Sequence, residues 1–124
     1  MPKPILCIDF DGVIHSYQHP WINAEIIQDP PVPGAIEWLE SLLDDFEVCI
    51  YSSRSKTNSG IEAMQNWLWK WYASNKLMDN LKFPMQKPAA FLTIDDRAIC
   101  FEGEFNNLTP KELLKFKPWN RRNV

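Results

Sequence analysis

The sequence has no apolar run that approaches the length of a membrane helix. The first run, from Ile5, is broken at Asp9, far short of the roughly 20 residues such a helix needs. One lysine precedes it, so neither a signal peptide nor a membrane anchor is expected, and the expected compartment is the cytoplasm. Cysteine is scarce and odd in number: Cys7, Cys49 and Cys100 lie in or beside predicted strands, without metal-ligand spacing. Buried reduced thiols are expected rather than disulfides or a thiolate metal site. There are two histidines, His15 and His19, and without a third ligand they do not make a zinc centre. A surplus of one charge is also missing. The net charge of −3 does not suggest a general nucleic-acid surface, and there are no repeats or low-complexity tracts.

What is present is a chain of 124 residues, 45% hydrophobic and 23% charged. That is enough for one domain (1–124) with a real core. Its organising stretch is Ile5-Leu6-Cys7-Ile8-Asp9-Phe10-Asp11-Gly12-Val13-Ile14. The apolar part is too short for a free-standing helix and reads as a buried central strand. Two carboxylates stand at its carboxyl end, the edge where open α/β sheets bind ligands. Strand alternation would put Asp9 and Asp11 on one face, but the strand is expected to end between them, released by Gly12. A second acidic pair, Asp95-Asp96, ends a later apolar run in the same way. Carboxylates this close are comfortable around a cation, or with one proton retained.

Asp9-Phe10-Asp11-Gly12-Val13 resembles the first motif of the haloacid dehalogenase superfamily of phosphohydrolases. The other three motifs follow in order. Ser52 closes the run Val48-Cys49-Ile50-Tyr51 as the second-motif hydroxyl does. Lys87 stands eight residues before Asp95 as a third motif, and Asp95-Asp96-Arg97 matches the paired-acid fourth. The resemblance spans residues 5 to about 101, and the ordered set is more specific than any one member. It implies a three-layer α/β/α Rossmann-like parallel sheet of about five strands, the first strand central. No segment between Ser52 and Lys87 is long enough for a large cap, so an open site screened only by a small flap (13–33) is expected.

Within the flap, His15, Tyr17, His19 and Trp21 fall at period two, one face of an extended segment. Those rings either stack on a base or sugar or fold down as cover. Asp29-Pro30-Pro31-Val32-Pro33-Gly34 is a stiff connector. A helix to about Asp45 follows, with Ile36, Leu39, Leu42, Leu43 and Phe46 inward, then a strand from Phe46 to Tyr51. Ser59-Gly60-Ile61-Glu62 has a capping-box pattern that opens the longest helix, to about Ala73. Its expected stripe is Ile61, Met64, Leu68, Trp71 and Tyr72, with Trp67 at the margin. Trp69 falls off the stripe, either exposed or covered by the C-terminal tail. Leu81 to Pro84, Phe91 to Ile94 and Ile99 to Phe101 read as three more strands. Thr109-Pro110-Lys111-Glu112 opens a short helix to Lys117. The tail (109–124) is made basic by Lys115, Lys117, Arg121 and Arg122. It reads as a disordered or docking tail, with an RNA or DNA contact as the weaker reading.

A bare carboxylate approaching a phosphate monoester is repelled. A hard divalent cation removes that obstacle, and Mg²⁺ suits a few carboxylates with substrate phosphate and waters. The resemblance implies Asp9 and Asp96 as side-chain ligands and the main-chain carbonyl of Asp11 as another, with Asp95 either a direct ligand or an outer group. It implies Asp9 as nucleophile through an aspartyl-phosphate and Asp11 as general acid and base. Ser52 and Lys87 would then hold the phosphoryl group. Ser53 and Arg54 are either substrate contacts or loop surface. Arg97 is expected to be structural. Two rivals remain, a phospho-accepting receiver-like signalling domain and a non-catalytic binding module. The receiver expects its adjacent acidic pair early and its lone Asp mid-chain, whereas here the spaced pair comes first. The expected partner is a small phosphorylated substrate, with nucleotides and nucleic-acid 3′ ends as a lean.

Overall fold

The computed structural model describes residues 2–122, so residues 1, 123 and 124, the last two part of the expected tail, lie outside the described residues. β1 (Ile5–Ile8) is the middle of a parallel three-stranded sheet, between β2 (Glu47–Ile50) and β3 (Leu92–Ile94). Cys7 stands opposite Cys49 on one side and Thr93 on the other. Alternation therefore sends Leu6, Ile8, Val48 and Ile50 to one face and Cys7, Cys49 and Thr93 to the other.

The first of those faces carries the core. α1 (Ala35–Leu42) begins after Gly34, which takes φ 86°, a value that glycine adopts without penalty. It buries Leu39, with Leu43 just past its end. α2 (Asn58–Lys70) buries Met64, Trp67 and Leu68. Leu39, Met64 and Leu68 are fully enclosed, so truncating any one to alanine should cost about 2–5 kcal/mol. The N-cap of α2 is Thr57, whose Oγ1 accepts from Gly60 N at 3.1 Å. Ser59, the cap expected from its spacing, instead donates to Glu25 Oε1 at 2.6 Å. Trp67, expected at the margin, is central, while Tyr72 turns out to solvent at φ 69° and ends the helix. Trp69 is exposed; the described residues of the tail do not cover it.

The sheet is smaller than expected. Leu81 to Pro84 is no strand: Lys82 alone bridges β2, donating to Val48 O at 3.0 Å and accepting from Ile50 N at 2.8 Å. A short helix, α3 (Asn75–Asn80), precedes it, capped by Ser74. Ile99 to Phe101 forms no strand, and Ile99, Cys100 and Phe101 are exposed, so Cys100 is not a buried thiol. Three strands stand in place of five. Among the described residues, the helices that bury side chains, α1, α2 and α3, pack with one face of the sheet. The steps from β1 to β2 and from β2 to Lys82 run the same way across the sheet. Right-handed crossovers then put α1, α2 and α3 on one face. The return to β3 uses only residues 83–91, too short for a crossover helix, so the Cys7 face has a loop for cover. α4 (Pro110–Leu114) has Thr109 as N-cap and buries nothing. It ends before Lys117, and a 3₁₀ turn, Trp119–Arg121, follows. Among the described residues no helix is long and apolar enough to cross a membrane.

Candidate functional site

The carboxyl ends of β1 and β3 bring three carboxylates together. Asp9 N donates to Ile94 O at 2.9 Å, extending the pairing of these strands by one residue. One oxygen from each of Asp9, Asp95 and Asp96 lies within 4.8 Å of the others. Burial pushes the Asp9 carboxyl up to about 8, with the Asp95 charge adding to it and a hydrogen bond to Asp96 holding the proton between them. Asp96 is raised as well, by burial and by Asp95, against the opposing hydrogen bond from Asp9. Without a cation, the cluster keeps a proton.

Two backbone features shape the cluster. Arg97 N donates to Asp95 Oδ1 at 2.8 Å, which orients that carboxylate and gives the Asp-Asp-Arg sequence a local turn. Gly12 sits at φ 86°, and a Cβ there would collide with Asp96 Oδ2. Glycine takes this φ without strain and lets the first loop approach the second acidic pair without displacing the Asp96 side chain.

A cavity of about 170 Å³ opens beside the cluster on the Cys7 face, lined by Asp9, Ser52, Ser53, Lys87, Thr93 and Asp95. Asp9, Ser52 and Lys87, expected to act on one phosphate, thus border one space together with Asp95, expected at or beside the metal. Lys87 and Ser53 are exposed there, and Ser52 is buried. Ser52 Oγ also caps the 3₁₀ turn Ser53–Lys56, accepting from Arg54 N at 3.0 Å and pointing its proton at Met64 Sδ, 3.7 Å away. A thioether is a weak acceptor, so that proton is available to a better one. Burial raises the Cys7 thiol, against a lowering by Lys87. The Cys7 sulfur on the cavity wall is thereby held as a thiol.

Asp11 is turned elsewhere. The chain leaves the strand at Ile8, and the Asp11 carboxylate is not in the cluster of Asp9, Asp95 and Asp96. It accepts from His15 Nδ1 at 2.8 Å and from Arg54 Nε at 3.1 and 3.0 Å. His15 Nε2 accepts from Asp29 N at 3.1 Å, so the ring proton lies on Nδ1, toward Asp11. Arg54, 1% exposed, is buried structure and not loop surface. Its NH1 donates to the carbonyls of Asn23, Ala24 and Ile26 at 2.9–3.1 Å, and its guanidinium lies 4.5 Å from the Trp21 ring. Asp29 is a second buried anchor, accepting from Gln18 N at 2.7 Å and His19 N at 2.8 Å, with His19 Nδ1 at 2.5 Å. Burial alone would raise this carboxyl, but the bonds from His19 and Gln18 outweigh it and lower it.

These ties draw the four rings together around one filled spot that Asp29 and Arg54 also border. His15 is buried, Tyr17 takes φ 55°, His19 pairs with Asp29, and Trp21 lies on Arg54. Only His15, the first of the four, lies inside the protein. The flap residues that do structural work, Arg54's carbonyl partners and Asp29, carry no sequence signal, because the contacts are long-range and mostly to main chain.

Compared with protein-family models, curated proteins and solved structures, the chain matches none. Its functional reading stands on the site's own geometry.

Proposed function

We propose that the protein is a metal-dependent phosphatase of the haloacid dehalogenase type, hydrolysing a phosphate monoester through an aspartyl-phosphate on Asp9. The observation that carries the reading is the placement of Asp9, Asp95 and Asp96 beside a cavity that also has Ser52 and Lys87 on its wall. The donor set fits a hard divalent cation. Three carboxylate oxygens converge, and Asp9, with a raised pKa in their company, is relieved by positive charge. Mg²⁺, when bound, would neutralise the repulsion between these carboxylates and an incoming phosphate.

The chain's residues then divide the work. An Asp9 oxygen attacks phosphorus, and the bond from phosphorus to the ester oxygen breaks. Lys87 offsets charge on the phosphoryl oxygens, and Ser52 turns its proton from Met64 to one of them. Asp11 gives a proton to the departing oxygen. Water then attacks phosphorus, its proton passes to Asp11, and the Asp9 carboxylate is released with inorganic phosphate. For this Asp11 has to act from its position between His15 and Arg54. His15 Nδ1–H is the adjacent proton donor.

That same position favours a second reading. With both oxygens of Asp11 held by Arg54, Asp9 could accept a phosphoryl group from a good leaving group and release it slowly, as a phospho-accepting module does. Multiple turnover decides between the two. The purified protein with Mg²⁺ should release many equivalents of phosphate from an aryl phosphate and stop in excess chelator. A single equivalent favours the module, and release insensitive to chelator overturns the metal role.

A further inference from the structure

A second cavity, of about 260 Å³, opens on the other side of the acidic cluster, and Asp95 lines both. Gly12, Val13, Val32 and Ile94 contribute to its lining, and Trp119 of the C-terminal 3₁₀ turn forms a wall. This residue arrives from 107 positions along the chain: its Nε1 donates to Gly12 O at 2.6 Å. Asn120 Nδ2 donates to Ser16 O at 3.1 Å, and Pro118 is buried. These ties fix the turn on the Gly12–Ser16 loop. They satisfy the indole N–H through the backbone and leave the ring's faces as its remaining chemistry. A turn that served only to cover apolar surface would bury its ring, yet Trp119 is 47% exposed. Of the flap rings, His15 is buried and Trp21 lies on Arg54.

We infer that Trp119 is a specificity residue, the wall against which the leaving group of the substrate packs. Preferred substrates then carry a flat aromatic ring in that group, as an aryl alcohol or a nucleoside does. Between Asp95–Asp96 and the indole face, the cavity is apolar on Val13, Val32 and Ile94 and has no basic side chain in its lining. A ring fits that surface better than a second anionic group. The inference rests on the phosphatase reading for placing the phosphate at Asp9, but ring recognition can be measured without turnover.

Phosphonates, whose carbon–phosphorus bond is not hydrolysed, serve as probes. Ethylphosphonate, benzylphosphonate and an adenosine 5′-phosphonate are titrated calorimetrically into the wild-type protein with Mg²⁺. At least one aromatic probe should bind about tenfold or more tightly than ethylphosphonate, as expected for stacking on one ring. The tighter of the two tells aryl from nucleoside. Trp119→Ala should erase the preference and leave ethylphosphonate unchanged, and Trp119→Phe should keep most of it. Equal affinities for all three in the wild type overturn the inference while sparing the phosphatase reading. So does a uniform loss in Trp119→Ala, which would mark the ring as a strap. Failure of every probe to bind, with no phosphatase activity, overturns both. Should Trp119→Ala not fold, the wild-type comparison and Trp119→Phe decide.

Discussion

Arg54 Nε donates to both carboxylate oxygens of Asp11, at 3.1 and 3.0 Å, across 43 residues of chain. The same guanidinium holds three flap carbonyls and faces Trp21. Sheet edge and flap are therefore joined by one buried cation. Removing one member of such a pair leaves the other uncompensated, which typically costs about 3–5 kcal/mol. Arg54→Ala should lose stability of that order in urea unfolding. Arg54→Lys keeps the charge but not the planar fork, so it should fall between. A change below about 0.5 kcal/mol in Arg54→Ala, the range of ordinary surface substitutions, would remove the strut role.

Asp11 has two assignments that single-turnover kinetics separates. As a proton donor it matters most for a poor leaving group, so Asp11→Asn should retain relatively more aryl than alkyl phosphatase activity. As a partner of Arg54 alone it should lower the melting temperature and slow both substrates equally. Asp9→Asn removes the nucleophile and should abolish turnover of either.

The raised Asp9 carboxyl makes stability depend on pH. Its folded value, about 8, lies above the ordinary carboxyl value of about 3.9, so the folded state binds the proton more tightly. That contribution is fully present below the ordinary value and is lost as pH rises through about 8. The metal-free protein should melt at progressively lower temperature as pH rises across this window, and Asp9→Asn should flatten the trend. Mg²⁺ should flatten it too, by favouring the ionised form. Asp29 has the opposite sign. Its lowered pKa, set by His19 and Gln18 against burial, adds stability above the ordinary carboxyl value and loses it as pH falls through the folded one. A melting temperature that does not change with pH between 5 and 8 in chelator would contradict the shared proton.

Gly12→Ala tests the closeness of loop and cluster. The new Cβ would meet Asp96 and require a positive φ, a strain of order 1–3 kcal/mol. Mg²⁺ affinity, read as the rise in melting temperature per added cation, should fall together with stability. Unchanged Mg²⁺ protection would show that Asp96 does not need the approach.

Much of this arrangement is legible from local chemistry. β1, β2 and β3 announce themselves as short apolar runs, each followed closely by a polar residue of the candidate site, and α1 by the spacing of Ile36, Leu39 and Leu43. Thr109 caps α4 where its sequence says it should. The misses have physical causes. α3 has a cap signal at Ser74, but six residues offer too few apolar positions to show a period. Ile99 to Phe101 has strand composition and no neighbour to pair with. Tyr17 adopts a conformation that non-glycine residues seldom take, so the segment from His15 to Trp21 is no regular extended strand although its rings gather in one place. The Asp11–Arg54 pair is invisible because charge pairing at a distance leaves no pattern in sequence.

Arg54 grips the flap through the carbonyl oxygens of Asn23, Ala24 and Ile26, a group every amino acid possesses. Side-chain identity at Ala24 and Ile26 is thus nearly decoupled from the attachment. The segment is a tolerant insert on a fixed clasp. A library randomised there should yield many folded variants, whereas randomising position 54 should yield few, making this stretch the natural place to graft new recognition chemistry.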